Sequence, residues 1–234
     1  MLATYGTPGT LAAKQATTTT PIVMIISGDA VATGIVASLA RPGGNVTGST
    51  FFDPELHAKR LELVKEIAPS ARRVAVLYNP SNPVNAPVEQ AMERTAQSLK
   101  LELQSYEAQR PDEFGEMFSR LIKTGTDWVA VTSDAIFRTN AERIAQLATK
   151  NRLPLIGDVD FGQSGALIGF GANLPELWYR GAYFVDKILK GAKPADLPVE
   201  QPIKFELIVN LKTAKALGLD VPWQFQQRAD EVIE

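Results

Sequence analysis

Apolar residues along the chain fall in two alternating patterns, short unbroken β-branched runs and longer stretches spaced by three and four. Ile22 to Ile26, Arg73 to Tyr78, Trp128 to Thr132 and Leu155 to Gly157 are runs of the first kind, expected of parallel strands covered on both faces. Leu2 to Tyr5, Asn45 to Phe52, Leu101 to Tyr106, Ala166 to Gly171 and Ile203 to Val209 read as further strands. Between them, spacing and capping residues predict helices. These run from about Gly9 to Ala16, Val31 to Leu39, Asp53 to Ala68, Val84 to Leu99, Phe114 to Ile122, Asn140 to Lys150, Asn173 to Lys190 and Leu211 to Leu217. From Pro222 the chain reads as a polar tail. Strand and helix alternate throughout, which predicts an α/β protein built on doubly wound parallel sheets.

In such sheets ligands bind outside the carboxyl ends of the strands. Four runs end there in small polar or acidic groups: Gly28 and Asp29, Asn79 to Asn82, Ser133 and Asp134, and Asp158. Each is individually a plausible cap or turn. Their repetition on one kind of edge favours a ligand site. Asp29 either caps the following helix or offers a carboxylate to a cation beside helix N–H groups that would take an anion. Thr7, ahead of Pro8, is likewise a helix cap or a hydroxyl at the ligand edge. The amides of Asn79 and Asn82 can donate and accept without bringing charge. Tyr78 and Phe161 are placed to stack on an aromatic or apolar ligand group.

With 234 residues the chain can bury a full core as one large domain or two smaller lobes. The net charge of -2 and the absence of basic runs argue against nucleic acid as a partner. No cysteine is present and His57 is the single histidine, which excludes thiolate chemistry and His-rich metal sites and makes a His-based triad hard to build. His57 reads as a packing or surface residue. No stretch approaches the roughly 20 apolar residues of a membrane span, and Met1 opens no secretion signal. No catalytic residue, metal ligand or cofactor is assigned.

Three strings are more specific than any short motif: DAVATGIVASLARPGGNVTG, ELHAKRLELVKEIAPSARRVAVLYNPSNP, and GANLPELWYRGAYFVDKILKGAKPADLPVEQPIKFELIVNLKTAKALGL. Together they resemble the ABC-transporter substrate-binding proteins of the tryptophan/tyrosine-binding type. The resemblance implies a periplasmic-binding-protein type I fold, two lobes joined by three crossing segments and closing on a small ligand. It places lobe 1 at about 1–48 with 173–202 and lobe 2 at about 53–165 with 210–234. The crossings fall at Asn45 to Phe52, Ala166 to Gly171 and Ile203 to Val209. Family members carry a secretion signal and about two further βα units before the strand matching Leu2 to Tyr5, so the first lobe is expected to be incomplete. An open edge at Leu2 to Tyr5 is then expected to pair with another chain or a swapped element, giving a homo-oligomer.

The function implied is capture of a small organic solute, an amino acid or related acid, by an importer's periplasmic or extracytoplasmic component that passes it to an ABC permease. Thr7, Gly28 and Asp29 are the expected contacts from the first lobe, and Tyr78, Asn79, Asn82, Asp134, Asp158 and Phe161 from the second. Asp29, Asp134 or Asp158 would meet an ammonium group, and N–H groups at Thr7 or Asn82 a carboxylate. Two rival classes share the architecture. A ligand-sensing domain of a transcription regulator would need a helix-turn-helix ahead of Met1. A doubly wound enzyme would want a G-x-G-x-x-G fingerprint, and Gly6 to Gly9 and Gly43-Gly44 lack that order and placement.

Overall fold

The structure is a computed structural model that describes residues 1–51 and 53–234. From the N-terminus come β1 (Leu2–Tyr5), α1 (Thr7–Ala16), β2 (Ile22–Ser27), β3 (Val46–Thr50), α2 (Asp53–Ile67) and β4 (Arg73–Tyr78). Next are α3 (Asn85–Leu99), β5 (Glu102–Glu107), α4 (Phe114–Lys123), β6 (Trp128–Val131), α5 (Ala135–Arg138) and α6 (Ala141–Lys150). The chain continues through β7 (Leu155–Gly157), α7 (Val159–Gln163), β8 (Ile168–Ala172) and α8 (Leu174–Leu189). It ends with β9 (Phe205–Asn210), α9 (Leu211–Leu217), α10 (Trp223–Gln226) and β10 (Glu231–Ile233).

The chain divides into two compact units. Unit 1 holds Met1–Asp53, Asn82–Val84 and Ala172–Lys204; unit 2 holds Pro54–Ser81, Asn85–Gly171 and Phe205–Glu234. Unit 1 is a three-stranded parallel sheet in the order β1-β2-β3. Its middle strand, IVMIIS, is buried along its whole length, because α1 packs on it and α8 packs on it and on β3. A continuous apolar strand is what such two-sided cover requires. Gly48 in β3 has φ 132°, and a Cβ there would lie 2.0 Å from the Met24 carbonyl oxygen, so only glycine lets β3 approach β2 this closely.

Unit 2 is a seven-stranded sheet in the order β10-β9-β8-β7-β6-β4-β5, with every pairing that has a register running parallel. One cluster, around Leu61, Val64, Val74, Met92 and Trp128, fills one face. A second, around Leu77, Phe114, Phe118, Val131, Ile144 and Phe161, fills the other. Helix ends follow the side chains available to them. Asn173 accepts from the Glu176 N–H at 2.8 Å and Asn210 from the Thr213 N–H at 3.0 Å, while Gly218 closes α9 in the left-handed region at φ 70°.

Two expectations are corrected, and two short helices are added. The stretch Val31 to Leu39 is a series of turns and not a helix. Asp29 Oδ1 takes the Val31 and Ala32 N–H groups at 3.0 and 2.9 Å and Gly34 adopts φ 70°, so local side-chain bonding and a left-handed residue displace the helical ladder. The tail after Pro222 contains α10 and β10. Asp230 pins it, its N–H donating to the Leu207 carbonyl at 2.8 Å and its carboxylate accepting from the Leu207 N–H at 2.9 Å. The short helices α5 and α7, which begin directly after Asp134 and Asp158, carry too few residues to show a period. The crossing expected at Asn45 to Phe52 includes Phe52, which lies outside the described residues.

Candidate functional site

Because β4, β6, β7 and β8 run parallel, their carboxyl ends share one edge of unit 2. At the first of these ends Asn79 Nδ2 donates to Asp134 Oδ2 at 3.2 Å. Asp134 also caps α5, accepting from the Ile136 N–H at 2.9 Å. Asn79 Oδ1 takes the Ser81 N–H at 3.0 Å, and the Asn85 amide donates to the Asn79 carbonyl. Asn79 and Asp134 are thus brought together. Asn82 is buried, with its side-chain oxygen accepting from the Val84 N–H at 3.3 Å.

At the end of β7 the sequence indicated only Asp158, and the structure adds a network. Arg60, from α2, is fully buried and donates Nη2 to Asp158 Oδ1. Its other donors go to the Phe170 carbonyl at 3.0 and 2.8 Å and the Val131 carbonyl at 3.0 Å. Ser133 Oγ donates to the same carboxylate oxygen at 2.9 Å. Arg138, from α5, lies 3.5 Å from Asp158 Oδ2 and 3.0 Å from Asp160. Burial alone would push the Asp158 carboxyl up. Arg138, Arg60 and His57, with the hydrogen bond from Arg60, outweigh it and hold the carboxyl well below the usual range. Oδ2 of this carboxylate is buried without a hydrogen-bond partner among the described residues.

His57 sits one turn before Arg60, buried, with Nδ1 3.1 Å from Arg60 Nη1 and Nε2 3.3 Å from the Ser133 N–H. A neutral imidazole accepts at only one nitrogen, so the tautomer decides which of the two is a true hydrogen bond. Burial, and then the neighbouring Arg60 charge, hold its pKa well below 6.5. Arg60 was absent from the candidates although its position carries a signal. His57, Arg60, Leu61 and Val64 share one face of α2, and a charged residue at a core-facing position needs a buried partner.

Tyr78 donates its hydroxyl to Glu107 at 2.6 Å, and its pKa is pushed up to about 12 by burial and that bond. Phe161 is 0% exposed inside the unit 2 core. Its ring faces are spent on packing, which corrects the expectation that it stacks on a ligand. In unit 1, Thr7 is the first residue of α1 and not its cap; Gly6 holds that position without a side-chain bond. The Thr7 hydroxyl instead accepts the Gly28 N–H at 2.9 Å and lies 3.4 Å from Ser27 Oγ. Thr50 Oγ1 donates to the Gly28 carbonyl at 2.8 Å. Thr7 and Gly28 are therefore one constellation, whereas Asp29 is bound up in its own turn. Among the described residues no group of His, Cys, Asp and Glu is placed to hold a metal, and no helix is long and apolar enough to cross a membrane.

Parallel α/β units with polar groups gathered at strand carboxyl ends define a protein of the periplasmic-binding-protein type I fold. The family model for ABC transporter substrate binding proteins matches residues 1–233, and the chain belongs to that family. A tyrosine-binding protein of Clostridioides difficile (strain R20291) is 31% identical over 215 residues, 91% of this chain and 61% of the relative. The chain thus spans less than two thirds of that relative's length. An ABC domain from Streptococcus pneumonia in complex with L-Trp superposes with a TM-score of 0.90 at 23% identity, covering 99% of this chain and 78% of the other. A ligand-free, open substrate-binding protein with adhesive properties from Clostridium difficile is 29% identical over the same shares, with a TM-score of 0.65.

Proposed function

We propose that this chain captures a small organic solute, an aromatic amino acid foremost, outside the cytoplasm and delivers it to an ABC permease without altering it chemically. The observation that carries this reading is the family match along residues 1–233. The tyrosine-binding relative and the neighbour holding L-Trp support the choice of ligand. The side chains at the strand ends support it from the chemistry. They are amides, hydroxyls and carboxylates able to orient a zwitterion, in a network without metal-ligand grouping among the described residues. Asp158 already faces Arg60 and Arg138, so its part is to anchor the edge, and Asp29 and Asp134 remain the candidates for a ligand ammonium.

Thermal unfolding in the presence of L-tryptophan, L-tyrosine, L-leucine, 4-hydroxybenzoate and ribose tests the reading. A true ligand at about a hundred times its dissociation constant adds about 2.7 kcal/mol of stability. Stabilisation by an aromatic amino acid and not by ribose is the expected result. A response confined to ribose, or none to any amino acid, overturns the ligand assignment.

A further inference from the structure

Within unit 2, β5 is the outermost strand of the sheet beside β4, and it lies between α3 and α4 in the chain. The Glu102 and Ala108 N–H groups donate to the Arg72 and Tyr78 carbonyls on the β4 side. Alternate residues of a strand turn to opposite sides, so Leu103, Ser105 and Glu107 turn their N–H and C=O groups outward. Among the described residues no strand pairs with that side.

The two faces of this edge carry opposite charge. On one, α3 and β5 bound a groove lined by Met92, Ala96 and Leu103 together with Glu89 and Glu93. Glu107 adjoins it, accepting the Tyr78 hydroxyl. Burial, and then the charges of Glu93 and Glu107, push the Glu89 carboxyl up, as expected where carboxylates gather without a cation. On the other face, Gln104 and Tyr106 share a groove with Arg120 and Lys123 of α4, and the Arg120 guanidinium lies 5.6 Å from the centre of the Tyr106 ring. Among the described residues none of Glu89, Glu93, Arg120 and Lys123 enters an ion pair.

We propose that this edge receives an extended segment of another polypeptide, with Lys or Arg alternating with Asp or Glu, which adds to β5 as an eighth strand of the sheet. In such pairing the main-chain bonds supply affinity and the grooves on either side supply specificity. Side chains of an added strand alternate between the faces as those of β5 do. Its basic positions therefore fall toward Glu89, Glu93 and Glu107, and its acidic positions toward Arg120 and Lys123. A second copy of this chain does not meet that requirement. A two-fold axis joining β5 to β5 stands perpendicular to the sheet and keeps both α3 helices on one face, so carboxylates meet carboxylates and cations meet cations.

Amide hydrogen exchange on the full chain, with a capped hexapeptide of alternating lysine and glutamate as the probe, reads this edge independently of solute binding. Without peptide the Leu103, Ser105 and Glu107 amides should exchange fast beside slow ones at Gln104 and Tyr106, and saturating peptide should slow the outward set about tenfold or more. A block peptide, three lysines then three glutamates, has the same composition but cannot sort its charges by face, and should bind about tenfold more weakly. Glu93→Lys, at an exposed position, should weaken the alternating peptide by a similar factor, and Lys150→Glu, exposed at the end of α6, should not. Ser105→Pro removes an outward donor and should weaken it too; the Glu93 variant holds the test open if that one fails to fold. Outward amides that are already slow without peptide, equal binding of the two peptides, no protection at millimolar peptide, or protection that grows with protein concentration alone overturns the inference.

Discussion

Replacing Arg60 by methionine is the sharpest probe of the unit 2 edge. The side chain is 0% exposed and serves the Asp158 carboxylate and the carbonyls of Phe170 and Val131. Methionine fills much of the volume but supplies none of these donors, leaving Asp158 with Arg138 3.5 Å away and Ser133 as its remaining polar support. Breaking a buried ion pair on one side costs about 3–5 kcal/mol, against about 5–15 kcal/mol for the whole stability of a domain. Urea unfolding should therefore show the midpoint of Arg60→Met falling by about a fifth or more with m unchanged. Asp158→Asn should be costly too, because it leaves the Arg60 guanidinium buried with a neutral partner, Arg138 keeping Asp160. The double variant should cost distinctly less than the sum of the two, since removing both charges relieves the penalty each single change creates. A loss below about 1 kcal/mol for Arg60→Met, or strict additivity in the double variant, would refute the reasoning.

Acid should destabilise the protein through His57, whose folded pKa lies well below the 6.5 of the free side chain. The stabilisation is complete above pH 6.5 and drains as pH falls, by up to about 1.4 kcal/mol per pH unit until the native ring protonates. No second histidine exists to share the effect, so His57→Gln should flatten the stability profile between pH 5 and 6.5, and equal slopes in both proteins would sink the assignment. Gly48→Ala should lower the melting point sharply, since the strained φ alone costs about 1–3 kcal/mol and the added carbon meets the Met24 carbonyl. A variant melting like the parent would show that β3 can move off β2 freely.

Most of the architecture was legible because it rests on local pattern. β2, β4, β6 and β7 are apolar runs that only two-sided burial explains, and Asn173 and Asn210 announce α8 and α9 by capping. The turns from Asp29 to Gly34 were illegible because Ala, Val and Ile suit a helix on paper, and the deciding factor is where the Asp29 carboxylate spends its bonds. β10 has three residues and exists only because β9 is there to pair with it. Asp158 could be placed at a strand end, but its electrostatic state could not. Arg60, Arg138 and Ser133 reach it from α2, α5 and the β6 end, far apart in sequence.

The chain order of the seven-stranded sheet has a consequence for biosynthesis. β8 leads into residues 172–204 of the other unit before β9 and β10 return to complete the row. A ribosome therefore exposes a nascent five-strand half-sheet whose β8 flank waits, unpaired, for the final segment to emerge. During that interval the flank is open to aggregation or to a holding chaperone, and stalled or prematurely terminated translation would release a species that is sticky there.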